Sequence, residues 1–198
     1  MVNCALAQNY TSFNIKHFDT NSGLSNDWVS DITQDKDGYI WFATQYGLNR
    51  FDGKKFKTYI YIPGDSLAIK ANWVRSIVQL NDKIYVGTYG GGVDEFDLYK
   101  ETFSSLKIVG PEEKEAVIIH KLLKLDSEQL LISSSNGVYS FDTKKRNAAL
   151  KFNKRVSNVQ IVENEVLVSK SEELSHLENN QLHFIHKLNS NVVSFNKV

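Results

Sequence analysis

The chain has 198 residues with 23 basic and 23 acidic side chains, and its formal net charge of zero disfavours a dedicated nucleic-acid binder, which would carry a basic face. Its 12% aromatic content and its 2 prolines exclude a disordered chain. The single cysteine, Cys4, excludes an internal disulfide framework and a multi-cysteine metal site.

The chain begins with a predicted leader over residues 1–11. Within it, Cys4–Gln8 resembles the end of a secretory signal peptide, because Ala5 and Ala7 occupy the small-residue positions before a cleavage site. The charged and long apolar parts of such a peptide do not precede it, so a chance match is the alternative. Lipidation of Cys4 is disfavoured because no leucine stands three positions before it.

A repeat of about 45 residues organises the rest of the chain. The pair Phe51-Asp52 recurs after 45 residues as Phe96-Asp97, after another 45 as Phe141-Asp142, and after 36 as the weaker copy Leu177-Glu178. An apolar or β-branched run precedes each pair, and these runs begin at Ile40, Ile84, Leu130 and Val166. Self-similarity at this period is typical of solenoid and propeller architectures.

Each repeat predicts four short strands. They are 28–34, 39–44, 47–51 and 55–61; 73–80, 83–88, 92–96 and 102–106; 117–125, 129–134, 137–141 and 148–152; and 156–162, 165–169, 173–177 and 181–185. Four antiparallel strands per repeat are typical of a β-propeller blade. A blade is too thin to bury its own faces, so Trp41, Tyr85 and Leu131 are expected to pack against neighbouring blades.

The predicted fold class is therefore all-β: a partial β-propeller with about four four-stranded antiparallel blades of an expected seven. The blades are expected at 23–62, 66–107, 116–152 and 155–187. Residues 12–18 resemble a fourth strand and are expected to be the outer strand of the closing blade, and residues 190–198 to begin a further blade. Open blade edges predict self-association of this segment when it is isolated.

The first repeat carries a long motif. It reads GLSNDWV at 23–29, DKDGYIWFAT at 35–44 and GLNRFDG at 47–53. These residues resemble the two-component regulator propeller repeat, whose pattern is roughly G-L-S-x-N-x-V, then D-x-x-G-x-[IL]-W-[FIV]-G-T, then G-[LV]-x-[RK]-[YF]-[DN]. The second repeat has Tyr85 in place of the tryptophan, and the last two keep only the general pattern.

That resemblance implies the periplasmic input domain of a membrane histidine kinase, often a hybrid sensor that signals to transcription. Many such sensors respond to breakdown products of polysaccharides. The resemblance therefore implies an oligosaccharide or other small ligand, and as partners the remaining blades and the kinase module of a homodimeric parent. It implies no cofactor, no direct nucleic-acid contact and no enzymatic activity in this segment, because kinase activity would belong to the parent.

Two other functions stay open. A propeller can serve as a protein-interaction scaffold, and its loops then bind peptides rather than sugars. A propeller enzyme, such as a lyase or glycan hydrolase, is less favoured because it needs paired carboxylates or a metal cluster on one face.

No catalytic or metal site is predicted, and five residues near strand ends are the candidate ligand-binding residues. Trp28 and Trp73 begin first strands, which line a propeller's central channel, and Arg75 shares the face of Trp73 because it lies two residues further on. Tyr46 and Tyr89 follow second strands and are expected on the opposite face. An aromatic ring beside a polar group suits stacking on a sugar. Packing under the neighbouring blade is the alternative for each residue.

Three further motifs have simpler explanations. Asp35–Gly38 begins like a calcium loop but lacks the closing glutamate, and it predicts a hairpin turn. His183 and His186 lie three apart on a predicted strand and so point to opposite faces, which is poor geometry for one metal. The run Gly90–Gly92 lacks the lysine and the helix of a phosphate loop and predicts an irregular connection.

Overall fold

The computed structural model describes residues 15–108 and 117–187. These residues form sixteen β-strands and one short 3-10 helix, Thr20–Ser22. The strands make four separate four-stranded sheets, and each sheet follows chain order with antiparallel neighbours. Each sheet corresponds to one predicted repeat and is called a blade, numbered 1 to 4 along the chain.

Every predicted strand is present, and its ends lie within two residues of the prediction. Blade 1 contains β1 Val29–Gln34, β2 Ile40–Thr44, β3 Gly47–Phe51 and β4 Phe56–Tyr59. Blade 2 contains β5 Val74–Leu80, β6 Lys83–Thr88, β7 Val93–Asp97 and β8 Thr102–Ser105. Blade 3 contains β9 Ile119–Lys124, β10 Gln129–Ser134, β11 Gly137–Asp142 and β12 Asn147–Phe152. Blade 4 contains β13 Asn158–Val162, β14 Glu165–Lys170, β15 Glu173–Glu178 and β16 Gln181–Lys187.

The predicted extensions at both ends mostly lie outside the described residues. These are the leader 1–11 and the further blade 190–198. Residues 15–18, the described part of the expected outer strand, form no strand. The Phe18 ring packs instead against Phe51 and Phe56, with centroid distances of 4.8 and 5.7 Å. Pairing of residues 12–18 within a closing blade therefore stays a prediction.

The hydrophobic core lies between successive blades. Three clusters of buried side chains join blade 1 to 2, blade 2 to 3 and blade 3 to 4. Trp41, Tyr85 and Leu131 are 0%, 2% and 2% exposed and belong to these clusters, as predicted. The apolar faces of each sheet are thus removed from water by its neighbours, which is the main source of stability in a layered fold.

The first hairpin is held by a buried carboxylate. Asp35 is 6% exposed, and its Oδ2 accepts a hydrogen bond from Trp41 Nε1 at 2.6 Å. Its Oδ1 accepts from the backbone N–H groups of Asp37 and Tyr39, both at 3.0 Å. The prediction of a hairpin turn at this motif is confirmed, and the same aspartate connects the turn to the blade core.

The first strands of blades 1, 2 and 3 are tied together by one further carboxylate. Asp31 Oδ2 accepts from Ser76 Oγ at 2.8 Å, from Ile77 N–H at 3.1 Å and from Lys121 Nζ at 3.3 Å. Ser76 Oγ in turn accepts from Leu122 N–H at 3.0 Å. These bonds set the first strands of three blades side by side, so the beginnings of these strands come close to one another.

Candidate ligand-binding site

The ends of the strands bring the aromatic candidates to one face of the blades. First and second strands are antiparallel, so the start of one lies beside the end of the other. Tyr89 N–H donates to Trp73 C=O at 2.8 Å, and Gln45 N–H donates to Trp28 C=O at 3.3 Å. Tyr46 follows Gln45 directly, so both tyrosines lie at the same end as the tryptophans. The expectation that they occupy the opposite face is wrong.

Blade 2 contributes three stacked groups to this face. The rings of Trp73 and Tyr89 lie 4.6 Å apart between centroids at an interplanar angle of 12°. The Arg75 guanidinium carbon lies 5.7 Å from the centroid of Trp73, which confirms that the two side chains share a face. Stacking of this kind orients a guanidinium without using its N–H donors.

The aromatic rings remain accessible to solvent. Trp28 is 64% exposed, Tyr46 52% and Tyr89 44%. Packing under a neighbouring blade therefore does not account for these three side chains. Trp73 and Arg75 are half-buried beside them. Exposed rings grouped on one face are a feature of binding surfaces rather than of a soluble protein's ordinary exterior.

A β-bulge interrupts the first strand at the same position in three blades. The register shifts between Val29 and Asp31 in blade 1, between Val74 and Ser76 in blade 2, and opposite Ser133 and Ser134 in blade 3. The extra residues are Ser30, Arg75 and His120. Bulges re-aim side chains and are frequent beside functional sites. Arg75 and His120 thus occupy equivalent places in adjacent blades.

His120 is a member of this face that sequence reasoning did not select. Its Nε2 is buried and has no hydrogen-bond partner in the described parts of the chain. Burial, together with the positive charges of Arg155 and Arg75, lowers the pKa of His120 to about 4. The imidazole is therefore neutral at pH 7. His120 occupies the same position in the third repeat as Arg75 in the second, so alignment of the repeats could have identified it.

The glycine run joins blades 2 and 3 at this face. The N–H groups of Gly90 and Gly92 donate to Val117 C=O at 3.2 and 3.3 Å. Tyr89 forms an isolated antiparallel β-bridge with Ile118. Gly90 has a φ of 94° and Gly92 a φ of 74°, which side-chain-bearing residues adopt only with strain. The predicted irregular connection therefore positions Tyr89 close to the start of blade 3.

Two other features lie outside this face or add nothing to it. A cavity of about 430 Å³ lies between blades 3 and 4, lined partly by Leu125, Leu131, Val166 and Leu177, and includes none of the five predicted residues. In residues 15–108 and 117–187, no group of three or more His, Cys, Asp or Glu side chains could hold a metal ion. No helix in the same ranges is long and apolar enough to cross a membrane.

Residues 23–46 match the family model described as the two component regulator propeller. This segment is a two-component regulator propeller repeat. It contains Trp28, Tyr46 and the hairpin around Asp35, and the resemblance predicted from the motif is confirmed. A stretch of 63 residues, 32% of the chain, is 49% identical to histidine kinase P4 of Formosa agariphila and covers 4% of that kinase.

Solved structures similar to this chain confirm the β-propeller fold. The extracellular domain of the BT4673 one component system of B. thetaiotaomicron matches with a TM-score of 0.70 and 16% identity, over 86% of this chain and 25% of that chain. The extracellular domain of the B. thetaiotaomicron hybrid two component system BT3049 matches with a TM-score of 0.52 and 20% identity, over 86% and 31% of the two chains. The β-propeller domain of Cps50 (Swd1) from Myceliophteria thermophila matches with a TM-score of 0.58 and 16% identity, over 80% and 58%.

Proposed function

We propose that this chain is the ligand-sensing part of a periplasmic sensor domain, that its ligand is derived from a carbohydrate, and that its parent histidine kinase signals to transcription. The observation that carries the proposal is the group of exposed aromatic rings at one face, beside the half-buried Arg75. The regulator propeller repeat and the similarity to a histidine kinase support the sensor assignment. The similarity in fold to extracellular domains supports a location outside the cytoplasm.

The chemistry of the face suits a saccharide. Sugar rings present C–H groups that stack on aromatic faces, and their hydroxyls accept hydrogen bonds from a guanidinium. Trp28 and Tyr46 offer such rings in blade 1, and Trp73 and Tyr89 offer them in blade 2. A ligand spanning both pairs would contact two blades at once.

Such a ligand would act by selecting one arrangement of the blades. A ligand shifts an equilibrium only by its difference in affinity for the two states. Contacts to two blades provide that difference whenever the blades move relative to each other. The partners in this proposal are the remaining blades and the kinase module of a homodimeric parent. The segment itself performs no catalysis and contacts no nucleic acid.

An oligosaccharide array with the purified chain tests this function. The double variants Trp28→Ala/Tyr46→Ala and Trp73→Ala/Tyr89→Ala are expected to weaken binding at least tenfold, since each removes both aromatic rings that one blade offers to a sugar. Tyr99→Ala is the matched control, because Tyr99 is 70% exposed and lies in the turn after β7 at the other end of the blade.

Three results would contradict the proposal. Oligosaccharide binding that survives both double variants would place the ligand elsewhere. Binding of peptides in place of sugars would favour the interaction scaffold. Hydrolysis or elimination products from the arrayed glycans would favour an enzyme.

A further inference from the structure

Two of the four arginines in the chain lack a carboxylate partner among the residues that the structure describes. Arg50 Nη1 lies 2.8 Å from Glu101 Oε1, and Arg146 Nη1 lies 3.0 Å from Glu95 Oε2. Arg75 is oriented instead by the Trp73 ring. A guanidinium carries five N–H donors and a permanent positive charge. Arg75 thus presents oriented donors that an external acceptor could use.

His120 adds a buried nitrogen beside these charges. Its Nε2 lacks a partner in the described residues, although buried polar atoms nearly always have one. Burial lowers the pKa of His120, and the positive charges of Arg155 and Arg75 act in the same direction. Both act in the direction that a nearby positive charge must, since they oppose protonation of the imidazole.

The other charged groups on these strands do not neutralise the cluster. Lys121, the residue after His120, is also positive, and it is engaged with Asp31 at 3.3 Å. The same Asp31 oxygen accepts from Ser76 and Ile77. This carboxylate is therefore fully used in tying the blades together, and the local charge beside Trp73 is positive.

We propose that this face binds an oxyanion, a carboxylate or a sulfate, beside Arg75 and His120, with the sugar ring that carries it against the Trp73 and Tyr89 pair. The inference rests on the proposed sensing function and narrows its ligand to acidic saccharides. Guanidinium groups bind carboxylate and sulfate oxygens through paired N–H bonds. The imidazole supplies a further N–H donor once it is protonated.

Binding is expected to depend on pH. The pKa of free His120 is about 4, so the imidazole is neutral above that pH. A bound anion favours the protonated form and raises this pKa. Between the free and the bound pKa, binding takes up a proton, so the affinity increases as the pH falls through the bound pKa towards about 4.

The first test uses inorganic sulfate and the full chain at constant ionic strength. The proton resonances of the His120 ring are followed by NMR during a sulfate titration. We expect a saturable change at His120 together with a raised pKa. Arg75→Gln should abolish the change, while Lys100→Gln, in the turn after β7, should leave it intact. Absence of a saturable change in the wild-type chain would overturn the inference.

The second test separates the sources of the anion. Trigalacturonic acid is compared with its methyl ester, which has the same sugar but no charge. Galactose 6-sulfate is compared with galactose in the same way. The acid, the sulfate ester or both should bind at least tenfold more tightly than the neutral partner, and His120→Gln should remove the pH dependence. Circular dichroism confirms that each variant is folded.

The outcomes of the two tests can be told apart. Equal binding of charged and neutral saccharides would overturn the anion site and leave saccharide sensing standing. A sulfate-induced change at His120 without binding of any saccharide would support the anion site and contradict the proposed carbohydrate ligand.

Discussion

The buried contact between Asp35 and Trp41 explains two positions of the regulator propeller motif at the scale of single residues. The carboxylate accepts one hydrogen bond from the indole and two from the backbone of the turn. Both side chains are buried, at 6% and 0% exposure. Hydrogen bonds to a charged acceptor contribute about 1.5–3 kcal/mol each, and loss of the acceptor would leave buried donors without partners.

Asp35→Ala is expected to lower the free energy of unfolding by about 2–4 kcal/mol, because the indole and two backbone N–H groups lose their acceptor. Asp35→Asn keeps one acceptor oxygen, so its free energy of unfolding should lie between those of the alanine variant and the wild type. Urea denaturation measures both. Asp37→Ala is the control, since Asp37 is exposed in the same turn. Equal losses for Asp35→Ala and Asp37→Ala would show that the buried bonds contribute nothing.

At the scale of secondary-structure elements, packing between blades explains why the second strands carry small residues at one position. Ala43, Gly87, Ser133 and Ser169 occupy equivalent positions on the second strands. At Gly87, an added Cβ would lie 2.4 Å from Ile119 Cγ2 and 3.0 Å from Ile119 Cβ. The first strand of blade 3 therefore approaches blade 2 more closely than a side chain at position 87 permits.

Gly87→Ala is expected to destabilise the chain by about 1–3 kcal/mol, since a methyl group in a packed core forces the blades apart. Ile119→Ala removes the Cγ2 atom that the new methyl would meet. In that background the cost of Gly87→Ala should fall by at least half, which a double-mutant cycle by urea denaturation measures. Additive effects of the two substitutions would contradict direct contact between these positions.

At the scale of the whole molecule, the four described blades do not close into a ring, and their outer faces expose apolar side chains. Ile32 in blade 1 is 56% exposed, and Phe184 and Ile185 in blade 4 are 63% and 50% exposed. Exposed strands with unpaired edges and apolar side chains promote association. This surface belongs to the two ends of the blade series rather than to the aromatic face.

The isolated chain is therefore expected to self-associate at micromolar concentrations, with a sedimentation coefficient that rises with concentration. Phe184→Ser/Ile185→Ser should shift the distribution towards monomer by removing apolar surface from β16. Tyr99→Ser serves as the control because it removes an exposed ring that lies in a turn. A monomer at every concentration would contradict this expectation.

The sequence by itself determined the repeat, the sixteen strands and the turns between them. These features depend on local patterns: alternating apolar residues, short polar connections and a recurring motif. It also determined which side chains pack between blades, since Trp41, Tyr85 and Leu131 recur at one position of the first three repeats. Arg75 was placed beside Trp73 by the two-residue period of a strand.

Only the tertiary structure decided which of these residues meet. Tyr89 stacks on Trp73 because antiparallel pairing brings the end of one strand to the start of another. His120 lies on the same face as Arg75 because both residues are the extra residue of a bulge in the first strands of adjacent blades. Bulges and blade contacts are set by packing between residues far apart in the chain, and no local pattern of side chains encodes them.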